Sequence, residues 1–180
     1  MASMIKYAAF LRGINVGGNK KVPMADLKKA MEKAGYKNVS TLLASGNVCF
    51  EALKKATDKI AAELEQLLKK TFGFEVGVLV RTIDEIRATA DAKPFKGIKV
   101  TPETRLYITF LSEPPKAKPT VTAESKAGTI KIVRYTPQDI CTVLVLAPGF
   151  SSPDLMGQLE KQLGKKITTR NWNTIEKVLR

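Results

Sequence analysis

The first 81 residues alternate short apolar runs with apolar residues at helical spacing, in an order that leaves few folds open. Ile5 to Leu11 is an apolar run suited to a buried strand, and it leads into a glycine-rich stretch. Pro23 at a first helical position, Asp26 in the first turn and Gly35 at the end then bracket a helix, with Leu27, Ala30, Met31 and Ala34 on one face. Val39 to Ala44 and Asn47 to Glu51 read as strands joined by a two-residue Ser45-Gly46 turn. Leu53, Ile60, Leu64, Leu67, Leu68 and Phe72 recur at helical spacing until Gly73, and Glu75 to Arg81 is again a strand. The order is βαββαβ, the ferredoxin-like arrangement in which two helices cover one face of a four-stranded antiparallel sheet.

The rest of the chain nearly repeats this order without repeating its residues. Thr82 and Glu85 stand at capping-box spacing for a short helix to about Ala90, and Asp91 to Pro102 reads as a connector. Arg105 to Leu111, Thr129 to Tyr135 and Ile140 to Leu146 are strands. Ser112 to Thr120, with three prolines, is a rigid loop, and Val121 to Lys126 is assigned to a short helix. Ser152-Pro-Asp154 starts a helix that Gly164 stops, Lys166 to Thr168 is a last short strand, and Trp172 to Leu179 is the final helix. The fold class is therefore α+β: a ferredoxin-like unit over residues 1–90, a second unit over 91–180 that is expected to be ferredoxin-like, and a C-terminal helix.

Composition narrows the chemistry. The chain has 30 Lys plus Arg against 17 Asp plus Glu, a net charge of +13 spread over both halves. That excess favours anionic partners and also keeps a protein soluble. There is no histidine, so a His-dependent triad or a His-ligated zinc site is excluded. Cys49 and Cys141 sit in apolar stretches without the paired spacing of zinc or redox motifs, and read as buried, reduced thiols. No apolar run approaches a membrane span and the N-terminus lacks the order of a signal peptide, so the expected compartment is the cytoplasm.

Three polar blocks stand out: Leu11 to Lys21, Ala44 to Val48 and Thr168 to Thr174. They hold donors, glycines and cations but no general base and no metal-ligating set. The first follows a strand and precedes a helix, where glycines can let backbone N–H groups approach a phosphate. It matches neither the phosphate-loop nor the dinucleotide pattern, and an equally good reading is a turn that needs positive φ. In the second block Gly46 is a turn residue, while the side chains of Ser45 and Asn47 are free to face the first loop. The third reads either as an N-terminal cap for the last helix, with Trp172 as a packing anchor, or as a binding element. Arg170 at a helix start would oppose the helix dipole, which points to an anion there.

Taken together, the stretches Phe10 to Gly18, Ser45 to Val48 and Thr169 to Thr174 resemble a bacterial family known as domain of unknown function 1697, over essentially the whole chain. The positions that carry the resemblance are Arg12, Gly13, Asn15, Val16, Gly17, Gly18, Ser45, Gly46, Asn47, Thr169, Arg170, Asn171 and Trp172. It implies a cytoplasmic α+β protein with ferredoxin-like pieces, and it brings no activity, substrate or cofactor with it.

The leading expectation is a site for a small phosphate- or carboxylate-bearing ligand. Arg12, Lys20 and Arg170 would supply charge, Gly13, Gly17 and Gly18 backbone donors, and Asn15, Ser45, Asn47, Thr169, Asn171 and Trp172 the remaining contacts. The alternatives are a nucleic-acid or other polyanion-binding module, and an assembly protein whose blocks hold its own structure together. Tyr7, Phe10 and Phe50 are few for a base-stacking sheet, and Tyr7 and Phe10 have opposite strand parity. No residue stands out as a general base, so no reaction is assigned.

Overall fold

The structure, a computed structural model, describes residues 3–121, 124–125, 128–150 and 154–180. The chain divides into two compact units: residues up to Ala88 together with Glu176–Arg180, and Thr89–Ile175.

In the first unit, β1 (Met4–Leu11), α1 (Met24–Lys33), β2 (Lys37–Leu42), β3 (Asn47–Leu53), α2 (Thr57–Phe72) and β4 (Val78–Thr82) follow in order, and α3 (Ile83–Asp91) leads out. The sheet order is β2-β3-β1-β4 with every neighbouring pair antiparallel, which is the ferredoxin-like order. Strand parity decides the core. Tyr7, Ala9 and Leu11 of β1 join Val48, Phe50 and Val80 on one face, packed with Leu27 and Met31 of α1 and Ile60, Leu64 and Leu68 of α2. Tyr7 keeps a polar handle in that core: its hydroxyl donates to the Lys55 carbonyl and accepts from the Lys55 N–H, both at 3.1 Å. The capping box forms as expected, with Thr82 N–H on Glu85 Oε2 (2.8 Å) and Glu85 N–H on Thr82 Oγ1 (3.1 Å).

Several boundaries differ from the sequence reading, and three of them shift a connection in the first unit. The β2–β3 connection is four residues, Leu43 to Gly46, because Leu42 already pairs with Asn47. β3 runs on to Leu53, held by its register with Met4, so α2 starts only at Thr57. Glu75 to Gly77 is a link rather than strand, and β4 begins at Val78.

The second unit contains β5 (Thr104–Leu111), β6 (Glu124–Ser125), β7 (Gly128–Tyr135), β8 (Asp139–Leu146), α4 (Leu155–Leu163) and β9 (Ile167–Asn171), after which α5 (Trp172–Val178) starts. Its sheet order is β6-β7-β8-β5-β9, so the four longer strands repeat the order of the first sheet. The short helix expected over Val121–Lys126 is not found. Glu124 and Ser125 instead pair antiparallel with Thr129 and Gly128, and the neighbouring positions 122–123 and 126–127 lie outside the described residues. The pairing with β7 gives the backbone groups of Glu124 and Ser125 partners that an isolated helix of six residues would hold only marginally. Leu155 and Leu159 of α4 pack on Leu111, Ile130, Ile140, Leu144 and Ile167. The Asp154 side chain caps α4 by accepting from Gly157 N–H at 2.8 Å; Ser152 and Pro153, also assigned to this helix start, lie outside the described residues. On the opposite face of β8, Asp139 is buried and accepts from Thr89 Oγ1 (2.7 Å), Arg134 Nη1 (2.8 Å) and Thr136 Oγ1 (3.1 Å).

Candidate functional site

The first block folds as a miniature hairpin. Val16 and Asn19 form a bridge, Asn19 N–H donates to Val16 O (3.1 Å) and Asn15 N–H to Lys20 O (3.2 Å), with Gly17 and Gly18 between them. Both glycines have positive φ, +59° and +77°, which is the demand of a two-residue hairpin turn. A Cβ at either would meet nothing within 4 Å, so these glycines are required by backbone conformation and not by close packing. The two-residue turn expected in the second block is thus found in the first.

Asn15 locks this hairpin to the rest of the unit. Its Nδ2 donates to Val22 O (3.0 Å) and Ala44 O (2.7 Å), and its Oδ1 accepts from Val22 N–H (2.8 Å). Both amide hydrogens are committed to backbone, so Asn15 acts as a clamp between the first two blocks. Asn47 plays a similar part. Fully buried, it donates from Nδ2 to Leu42 O (2.9 Å) and Ser45 Oγ (3.1 Å), closing the β2–β3 loop. Gly46 is the contact point of the two blocks: its carbonyl accepts from Leu11 N–H at 2.8 Å. A Cβ on Gly46 would lie 2.7 Å from Ile14 Cδ1 and 2.8 Å from Leu11 Cβ.

What these blocks present outward is cationic. Asn19, Lys20, Lys21 and Ser45 are exposed and Arg12 is half-buried. Arg12 N–H bonds Gly77 O at 2.9 Å, and Lys20 Nζ reaches Glu75 O at 2.8 Å, so the link before β4 is the third wall of the loop. The hydrogen bond and charge of Lys69, 3.0 Å away, hold the Glu75 carboxyl below its usual range, with Lys20 adding to the effect. Glu75 and Gly77 had no signal in the sequence beyond belonging to an expected strand.

The third block belongs to the second unit. Thr168, Thr169, Arg170 and Asn171 lie in the edge strand β9, and α5 begins only at Trp172. Arg170 is therefore not at a helix start, and the dipole argument for an anion there no longer applies. Its Nη1 donates to Thr168 Oγ1 (2.7 Å) and Thr169 O (2.9 Å), and burial pulls its pKa down to about 10. The Thr169 and Thr109 hydroxyls meet at 2.7 Å across the β5–β9 pair. Asn171 is exposed at the strand end, and Trp172 stands edge-on to Phe95 with centroids 5.0 Å apart.

Other chemistries find little support. Among the described residues no group of three or more Cys, Asp or Glu side chains is placed to hold a metal, and no helix is long and apolar enough to cross a membrane. Cys49 and Cys141 are free thiols. Burial raises the pKa of Cys49, and burial with the charge of Asp139 pushes Cys141 up to about 12, so neither is an activated nucleophile. Tyr7, Phe10 and Phe50 are all buried, and Tyr7 stacks on Phe50, which removes the aromatics a base-stacking sheet would expose.

A family model described as "Protein of unknown function (DUF1697)" matches residues 4–140, a span that includes the first two blocks and ends before the third. Among solved structures, the conserved bacterial protein SP0830 from Streptococcus pneumoniae is similar with a TM-score of 0.66 over 98% of this chain and 97% of that one, at 19% identity. At that identity the likeness shows the fold. No curated protein matches the sequence.

Proposed function

For a chain that belongs to the DUF1697 family of proteins of unknown function, we propose that the first two blocks bind a small phosphate- or carboxylate-bearing anion. The observation that carries this reading is the clamped hairpin: an exposed Gly17-Gly18 tip fixed by the three hydrogen bonds of Asn15 and flanked by Arg12, Lys20 and Lys21. A loop already held in one conformation loses little entropy when a ligand docks. The Arg12 guanidinium offers a planar fork to an oxyanion, Lys20 and Lys21 add point charges, and the Ser45 hydroxyl and the tip N–H groups supply neutral donors. Asn15 and Asn47 support the loop from behind rather than touching the ligand. The +13 net charge draws anions toward the molecule. The two free thiols fit a reducing, cytoplasmic setting.

A second reading has a specific observation behind it: Asn15, Asn47 and Gly46 are all used to hold the unit together, as they would be in a protein whose blocks serve assembly alone. A thermal-shift series against inorganic phosphate, sulfate and sugar phosphates separates the two. A ligand at about 100 times its Kd raises stability by roughly 2.7 kcal/mol. The anion-site reading expects such a shift in the wild type and its loss in Arg12→Ala. No shift with any anion, together with early melting of the variants, supports the assembly reading.

A further inference from the structure

The second unit carries a cationic groove that lies outside all three polar blocks. A cavity of about 760 Å³ runs between the proline-rich loop after β5 and the C-terminal end of α4. Lys116 and Lys118 line it from the loop and Lys165 and Lys166 from the segment after α4, against one carboxylate, Glu113, which pairs with Lys166 at 3.0 Å. Leu111, Ile167, Pro114 and Pro115 supply apolar lining.

This groove is tied together at both ends. Ser112 donates to the Lys166 carbonyl twice, from Oγ at 2.8 Å and from N–H at 3.1 Å. At the other end the Gln162 amide accepts from Thr120 N–H (2.8 Å) and donates to the Thr120 carbonyl. The prolines limit what the loop between these anchors can do. Lys165 and Lys166 follow the Gly164 that ends α4, and Lys166 pairs with Glu113. Lys116 and Lys118 face that end from the loop and have no helix terminus to serve.

We infer that the groove binds an oligophosphate-bearing small molecule, its phosphates among the four lysines and any planar body over Pro114 and Pro115. Ammonium groups on flexible stems act as point charges without a fixed fork, so they favour several linked phosphates over one planar carboxylate. The volume is in the range of small-molecule sites.

The test is titration calorimetry of the full chain at low salt with inorganic triphosphate, with ATP and with a short single-stranded oligonucleotide. Both triphosphate and ATP should bind, and tighter binding of ATP would show that the proline wall contributes, while equal binding would assign the affinity to the phosphates. Lys116→Ala/Lys118→Ala should weaken both by about tenfold or more, as expected for the loss of two charge contacts. The equal charge change Lys29→Ala/Lys33→Ala, on α1 of the other unit, should leave both unchanged. ATP should also protect Lys116 and Lys118 from amine acetylation read by mass spectrometry, whether or not Lys20 and Lys21 of the first site are protected as well. Equal weakening by both double variants, tighter binding of the oligonucleotide, or protection confined to Lys20 and Lys21 would each overturn the inference.

Discussion

Replacing Gly46 by alanine tests whether the two blocks are interlocked as described. Two costs add at this position. The backbone sits at φ +83°, where an L side chain costs about 1–2 kcal/mol. The new methyl would also lie 2.8 Å from Leu11 Cβ, which is anchored in β1 and cannot swing away. Overpacking of that kind costs about 1–3 kcal/mol. Gly46→Ala should therefore lose about 2–5 kcal/mol, or about 4–20 °C in Tm for a chain of this size. Gly18→Ala is the matched control, because its φ is +77° but a Cβ there meets nothing within 4 Å. It should lose only the conformational part, about 1–2 kcal/mol. Far-UV circular dichroism in urea gives both values, and is preferred to fluorescence because the single tryptophan lies in the other unit. Equal destabilisation of the two variants would refute the close contact between Gly46 and β1.

Asn15→Asp keeps an acceptor for Val22 N–H and tolerates the positive φ, but turns an oxygen toward the Val22 and Ala44 carbonyls; it should cost about 1–3 kcal/mol in urea denaturation and remove the phosphate-induced thermal shift. Asp139→Ala removes the shared acceptor of the half-buried Arg134 guanidinium and Thr136 hydroxyl and of the buried Thr89 hydroxyl, so it should destabilise by about 1–3 kcal/mol, measured the same way. Cys141 predicts an alkaline limb. Burial, then Asp139, raise its pKa from 9.0 to about 12, so above pH 9 the unfolded chain releases a proton that the folded chain keeps, and stability falls as pH rises toward 12. Urea midpoints across that range should decline in the wild type and decline less steeply in Cys141→Ala, where Cys49 and Tyr36, both also raised by burial, keep part of the slope.

The first unit was legible because its strands and helices have clean parity: Tyr7, Ala9 and Leu11 on one face of β1 meet Leu64 and Leu68 of α2. The capping box at Thr82 and the Asp154 cap were equally plain, since each rests on local side-chain chemistry. What could not be read was set by distant partners. β3 extends to Leu53 because β1 offers a register there, and Glu75 becomes a link because Gly77 is taken up by Arg12. In the third block the final helix starts at Trp172 as the sequence suggests, but the strand before it runs on to Asn171, because β5 offers Thr109, Ile108 and Tyr107 as pairing partners. Among the candidate site residues, Asn15 and Asn47 spend their side chains on backbone and on Ser45. An asparagine side chain carries the same donors and acceptor whether it serves a ligand or a backbone, and only the fold decides which. The lysine groove left a trace in the Lys116-Ala-Lys118 and Lys165-Lys166 pairs, although nothing in their spacing showed that they face one another.

The most direct test of the anion-site account is a phosphate titration of the ¹⁵N-labelled protein, following its backbone amides. The account predicts saturable shifts concentrated from Arg12 to Lys21 and at Ser45, with those of Gly17, Gly18 and Asn19 largest, and their disappearance in Arg12→Ala. Shifts that stay absent across the hairpin while phosphate is added, or that are unchanged in Arg12→Ala, would contradict it and leave the clamped hairpin as a feature of the fold alone.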